Sequence, residues 1–166
     1  MAVTWPRVAV LLACQEYAPL IIPIAGIDPA WLLVAIAKNE SSLGDDCGPR
    51  HESAWDVGGT YAADPVQAGL LRLYGSAAAC SYGPWQIMLY NAPGYTPDEL
   101  NAQLPMVARA TIAFLNKQIA RWSLASIEAI GQVWNGGHPG VSSPGVAAYC
   151  KELQKNYESA SGWLGG

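Results

Sequence analysis

Glu40 falls where a carboxylate is least expected. It ends the helix-like run in "AIAKNESSLGDDCG", residues 35–48. At a step of 100° per residue, Leu33 lies about 20° from it, Ile36 about 40°, Ala37 about 60° and Leu32 about 80°, with Lys38 on the far side. Glu40 therefore continues the apolar stripe into the last helical turn. Partial desolvation there favours the neutral acid, and the negative end of the helix dipole pushes the same way. A carboxylic acid held protonated near neutral pH is what general acid catalysis needs. The same side chain reaches solvent if the helix simply ends there, and periodicity alone leaves both readings open.

The other acids near it in sequence are Asp45, Asp46, Glu52, Asp56 and Asp64. Asp45 and Asp46 follow the helix end and are expected in solvent. Asp64 stands before Pro65 and is more economically a helix cap. Glu52 and Asp56 lie in "HESAWDVGGTY", where Gly58-Gly59 suggests a small hairpin or an irregular loop. They are the candidates for a second carboxylate, and a solvated loop charge is an equal reading of Glu52. Cys14, Cys47, Cys80 and Cys150 include no C-x-x-C pair, and the chain has two histidines. No zinc site is expected, nor any other metal or cofactor. The cysteines are either buried thiols or one or two disulfides. A Cys47–Cys80 bridge would tie down the segment beside Glu40.

These side chains need a helical frame, and its starting points are legible. Asp28-Pro29, Asp64-Pro65, Thr96-Pro97 and Ser143-Pro144 each place a capping residue before a proline at the first helical position. Thr96 with Glu99 also fits a capping box. Helices are predicted at 29–42, 65–74, 97–102, 105–121, 124–135 and 144–157, with an amphipathic first helix running towards Tyr17. Residues 47–62 form the hairpin or irregular insert, and the final "SGWLGG" reads as a tail. The fold class is mainly α, one globular domain over 1–166.

Charged residues make up 13% of the chain and the net charge is −4. No Arg/Lys run is present to neutralise phosphates, so nucleic acid is not an expected partner. Pro19, Pro23, Gly26 and Asp28 break the apolar stretches well short of a membrane span. The apolar run 8–13 is also short for the roughly 7–15 residues of a secretion signal core, so no export signal is expected.

Four stretches, in order, resemble the lytic transglycosylase and goose-type lysozyme superfamily. "GIDPAWLLVAIAKNESSLG" resembles its opening helix, which ends in a catalytic glutamate followed by serine, here Glu40 and Ser41. "SYGPWQIM" resembles a Gly-Leu-Met-Gln motif: Gly83 and Gln86 match, whereas Pro84 and Trp85 depart. "VWNGG" resembles an Ala-Tyr-Asn-Ala-Gly motif, with Trp134 for the tyrosine, Asn135 for the asparagine and Gly136 for the second alanine. "GVAAYCKELQKNY" resembles the closing helix, where Tyr149 matches a tyrosine lining the site. "RHE", residues 50–52, resembles an Arg–aromatic–Glu sequence of some members, which would bring Glu52 near Glu40.

The resemblance implies a lysozyme-like fold whose cleft binds peptidoglycan strands. It implies cleavage of the β-1,4 bond between N-acetylmuramic acid and N-acetylglucosamine, with Glu40 as the acid. Gly83 would admit close backbone approach to the saccharide. Gln86 and Asn135 would offer amides to hydroxyl or N-acetyl groups, although Asn135 before Gly136-Gly137 equally suits turn chemistry. Trp85 and Trp134 are the tryptophans expected in the cleft. With one acid in motif context, non-hydrolytic cleavage to 1,6-anhydro-muramic ends is favoured over hydrolysis, which requires a second carboxylate. The alternatives are a hydrolytic endolysin, a chitin-cleaving relative and a non-catalytic wall-binding relative. Action at the bacterial cell wall as a monomer is expected, as a phage-type lysin released by another route.

Overall fold

Carboxylate and hydroxyl caps set where the helices begin. Asp28 Oδ1 accepts from the amides of Ala30 and Trp31 at 2.8 and 3.0 Å, and Asp64 Oδ1 from Val66 and Gln67 at 2.9 and 3.2 Å. Thr96 Oγ1 accepts from the Glu99 amide while Glu99 Oε2 accepts from the Thr96 amide at 2.8 Å, completing the capping box. The structure, a computed structural model, describes residues 4–165. Seven α-helices are present among them: α1 Arg7–Tyr17, α2 Pro29–Ser41, α3 Pro65–Tyr74, α4 Pro97–Ala102, α5 Leu104–Trp122, α6 Ile127–Gly136 and α7 Pro144–Leu164. The domain is mainly α, as the sequence predicts. None of the helices is long and apolar enough to cross a membrane.

Three local expectations are corrected. Ser143 makes no side-chain cap bond. Helix α6 begins after Ser126, whose hydroxyl accepts from the Ala129 amide at 3.1 Å, and not at 124. Leu124 instead follows Ser123, which closes α5 in the left-handed region. The presumed tail "SGWLGG" is largely the end of α7. Val146, Cys150, Leu153 and Ala160 keep helical spacing on its buried side, and Arg7 lies over the Trp163 ring at 5.9 Å.

Helix α2 is the centre of the molecule. Leu32 through Ala37 are all at most 1% exposed, so the stripe inferred for this helix is in fact a fully enclosed cylinder. A helix apolar on all sides must be surrounded. Here α1 and α7 pack against it, and α6 packs on α7. The polar end of α2, Lys38 to Glu40, is where it emerges from this enclosure.

A small antiparallel sheet, β1 Arg50–His51, β2 Cys80–Tyr82 and β3 Ile87–Met88, runs in the order β1-β2-β3. The register pairs Arg50 with Ser81 and Ser81 with Met88. The 47–62 segment is therefore no self-contained hairpin: its strand pairs with a partner beyond α3. The turn between β2 and β3 contains Gly83 at φ +71°. A Cβ there would lie 2.7 Å from Val107 Cγ2, so the glycine lets the turn press against α5 and does not face a ligand. Trp85 in the same turn is also relocated. It is fully buried, with Nε1 donating to the Leu33 carbonyl at 3.0 Å, and offers no face to a cleft. Cys80 carries a free thiol directed at the Ser76 carbonyl, so the Cys47–Cys80 bridge is not formed.

Candidate functional site

The end of α2 is closed by a sharp reversal. Ser42, Leu43 and Gly44 have φ of 53°, 65° and 97°, and the Leu43 amide returns to the Ala37 carbonyl at 3.1 Å. Ser41 ties this end to the β2–β3 turn. Its hydroxyl lies 2.7 Å from the Pro84 carbonyl and accepts from the Gly44 amide at 2.9 Å. Ser41 is thus a buried brace under Glu40, not a ligand-facing group.

Glu40 leaves this braced end with its side chain 12% exposed. Two donors converge on one oxygen: Tyr149 Oη at 2.7 Å and Trp134 Nε1 at 2.9 Å, both to Oε1. Oε2 is left towards Arg50, whose Nη1 lies 3.6 Å away while its Nη2 donates to the Glu40 carbonyl at 2.7 Å. Burial pushes the Glu40 carboxyl above the usual carboxylate range. The hydrogen bonds from Tyr149 and Trp134 and the charge of Arg50 pull it back in part, and the charge of Glu52 adds to the rise. Burial, then the Glu40 charge, also hold the Tyr149 phenol well up, so it stays a donor.

The donors are themselves positioned. Asn39, one residue before Glu40, donates to the Tyr149 carbonyl at 3.4 Å and accepts from Asn156 Nδ2, which locks α7 onto α2. Trp134 stands edge-on to Phe114, with ring centroids 5.4 Å apart. An indole so wedged keeps its N–H aimed at the carboxylate.

Glu40 opens into a cavity of about 250 Å³ whose walls include Arg50, Glu52, Trp55, Gln86, Trp134 and Asn135. Glu52 is therefore beside Glu40, as the Arg–aromatic–Glu pattern implied. Its Oε1 lies 3.5 Å from the Ser81 hydroxyl. Asp56 is not part of this wall: it pairs with His51 Nε2 at 2.7 Å, an interaction that lowers its pKa. Asp45 and Asp46 are exposed and Asp64 is a helix cap, as expected. Gln86 lines the cavity, but both its amide protons are engaged, with the Gly83 and Gly48 carbonyls at 2.9 and 3.3 Å. Its Oε1 already accepts from Ser81 at 2.8 Å and has one lone pair left for a ligand. Asn135 is exposed at the rim.

Sequence reasoning missed Trp55 and Met88, which also line the cavity. Trp55 belongs to an aromatic cluster, 4.6 Å from Tyr61 and 4.7 Å from Tyr90 by ring centroids. The density of aromatics at 55, 61 and 90 was the available signal, but only the sheet brings 55 and 90 together.

The arrangement supplies a carboxyl with a raised pKa and a fixed orientation on the wall of a cavity. No family model, curated protein or solved structure matches this chain.

Proposed function

We propose that this chain is a peptidoglycan-cleaving enzyme of the lytic transglycosylase type, on a lysozyme-like fold, acting at the bacterial cell wall. The observation that carries the reading is the pair of donors on Glu40 Oε1. They orient the carboxyl, burial raises its pKa, and Oε2 is the oxygen left without a hydrogen-bond donor on the cavity wall. Glu40 would donate its proton to the glycosidic oxygen as the bond to the muramic C1 breaks. The resulting carboxylate would then take the proton of the muramic 6-hydroxyl as that oxygen bonds to C1, closing a 1,6-anhydro ring. One residue serves as acid and then base, and no water is consumed.

Mass spectrometry of muropeptides released from purified peptidoglycan tests this. Anhydro-muramic ends are the expected product. Reducing ends, heavier by one water, would instead support the second reading, hydrolysis with Glu52 as the base. What favours considering that reading is that Glu52 lines the same cavity and its charge raises the Glu40 pKa.

The same electrostatic link gives a further expected result. Activity needs protonated Glu40 and falls as pH rises through its pKa. Replacing Glu52 by glutamine removes a negative charge that favours the proton. The alkaline limb of the pH–rate profile should therefore move to lower pH. A limb unmoved in Glu52→Gln would show that the two carboxylates do not communicate.

A further inference from the structure

The groove continues past Glu40. A second cavity of about 490 Å³ shares Trp55 and Trp134 with the first and extends along α5 to Tyr90, Phe114, Lys117 and Arg121. No aspartate or glutamate lines this limb. That is notable in a chain with 13 acids against 9 lysines and arginines. Lys117 and Arg121 are four residues apart on α5 and so share one of its faces, and both are exposed. The Arg121 guanidinium lies 4.7 Å from the Trp122 ring centroid, which holds it at the helix surface. Lys117 also lines a branch of about 270 Å³ with Val66, Pro93, Ala113 and Phe114, a largely apolar trough leading off the groove.

Cations on a limb of a groove that no acid lines select for negative charge in what the groove holds. Given the reading above, on which this inference rests, the sugar rings are neutral and the charge sits on the peptides attached to muramic acid. We propose that Lys117 and Arg121 bind free carboxylates of a peptide stem carried by the glycan strand. The branch beside Lys117 receives apolar side chains of that peptide. The site thereby distinguishes peptide-bearing strands from stripped ones.

The test is a binding measurement on the Glu40→Gln chain, which removes the transferable proton. Calorimetry compares glycan fragments bearing peptide stems with the same fragments after amidase removal of the peptides and conversion of the lactyl carboxylates that the amidase exposes to neutral methylamides. Peptide-bearing fragments should bind about tenfold more tightly, the scale of a charge-assisted contact. The preference should shrink as salt rises. Adding Lys117→Gln and Arg121→Gln should bring the ratio near one, whereas the charge-keeping exchange Lys117→Arg with Arg121→Lys should retain most of it. Equal affinity for the two ligands, binding of neither, or a preference that survives loss of both charges overturns the proposal. Preferential binding with no cleavage by the unsubstituted chain would instead overturn the enzymatic reading and leave this one standing.

Discussion

Glu40→Gln is expected to lower the rate of peptidoglycan cleavage by about 10²–10⁴-fold, the usual contribution of a general acid. The change is close to isosteric. The glutamine oxygen can still accept from Tyr149 and Trp134, which now meet on one carboxylate oxygen. What is lost is the transferable proton. The stability of the variant separates this from damage to the fold. Burial raises the folded pKa of Glu40 above its unfolded value. Between those two values the folded state holds more protons, so stability declines as pH rises through that window and stays lower above it. An amide does not titrate, so the variant escapes this decline. Its melting temperature at neutral pH should equal or exceed that of the parent, with the exposed Arg50 contact a small offset. A folded Glu40→Gln chain that clears cell-wall suspensions at the parent rate would end the proposed mechanism.

Trp85→Ala is expected to be the most damaging single change to stability, at about 3–5 kcal/mol. The indole is fully enclosed, and its N–H reaches the Leu33 carbonyl on the central helix. Truncation removes the packing between the β2–β3 turn and α2. For a domain of this size the midpoint of thermal unfolding should drop by roughly 10 °C or more. Turnover per folded molecule, measured well below the new midpoint, should change far less than in Glu40→Gln. A variant with parent stability but no turnover would return Trp85 to the cleft, where its motif position had placed it.

The contrast between those two residues marks how far the sequence alone reaches. Asp28, Asp64 and Thr96 declare their helices because a cap acts on amides two or three residues away, and the structure has those bonds. The end of α2 at Glu40 is local in the same sense. The fold class follows from such helix starts and from the absence of long alternating stretches. Motif position also singled out Glu40, Glu52, Gln86, Trp134 and Asn135, which the fold places on the wall of one cavity.

Tertiary structure decided what each of those residues touches. Trp134 and Tyr149 meet Glu40 from 94 and 109 residues away, and no periodicity specifies which carboxylate oxygen they share. Gly83 and Trp85 sit in a motif that suggested a ligand surface, yet they pack against Val107 and Leu33. The side of a turn that faces solvent depends on the helix laid over it, here α5, and that is a long-range fact. The enclosure of α2 is another. One helix reads as a stripe by its own spacing, but α1, α7 and the β2–β3 turn together cover it. Desolvation of Glu40 therefore comes from neighbours distant in sequence: the apolar stripe suggests a raised pKa, and only the folded chain decides between that and a side chain reaching solvent.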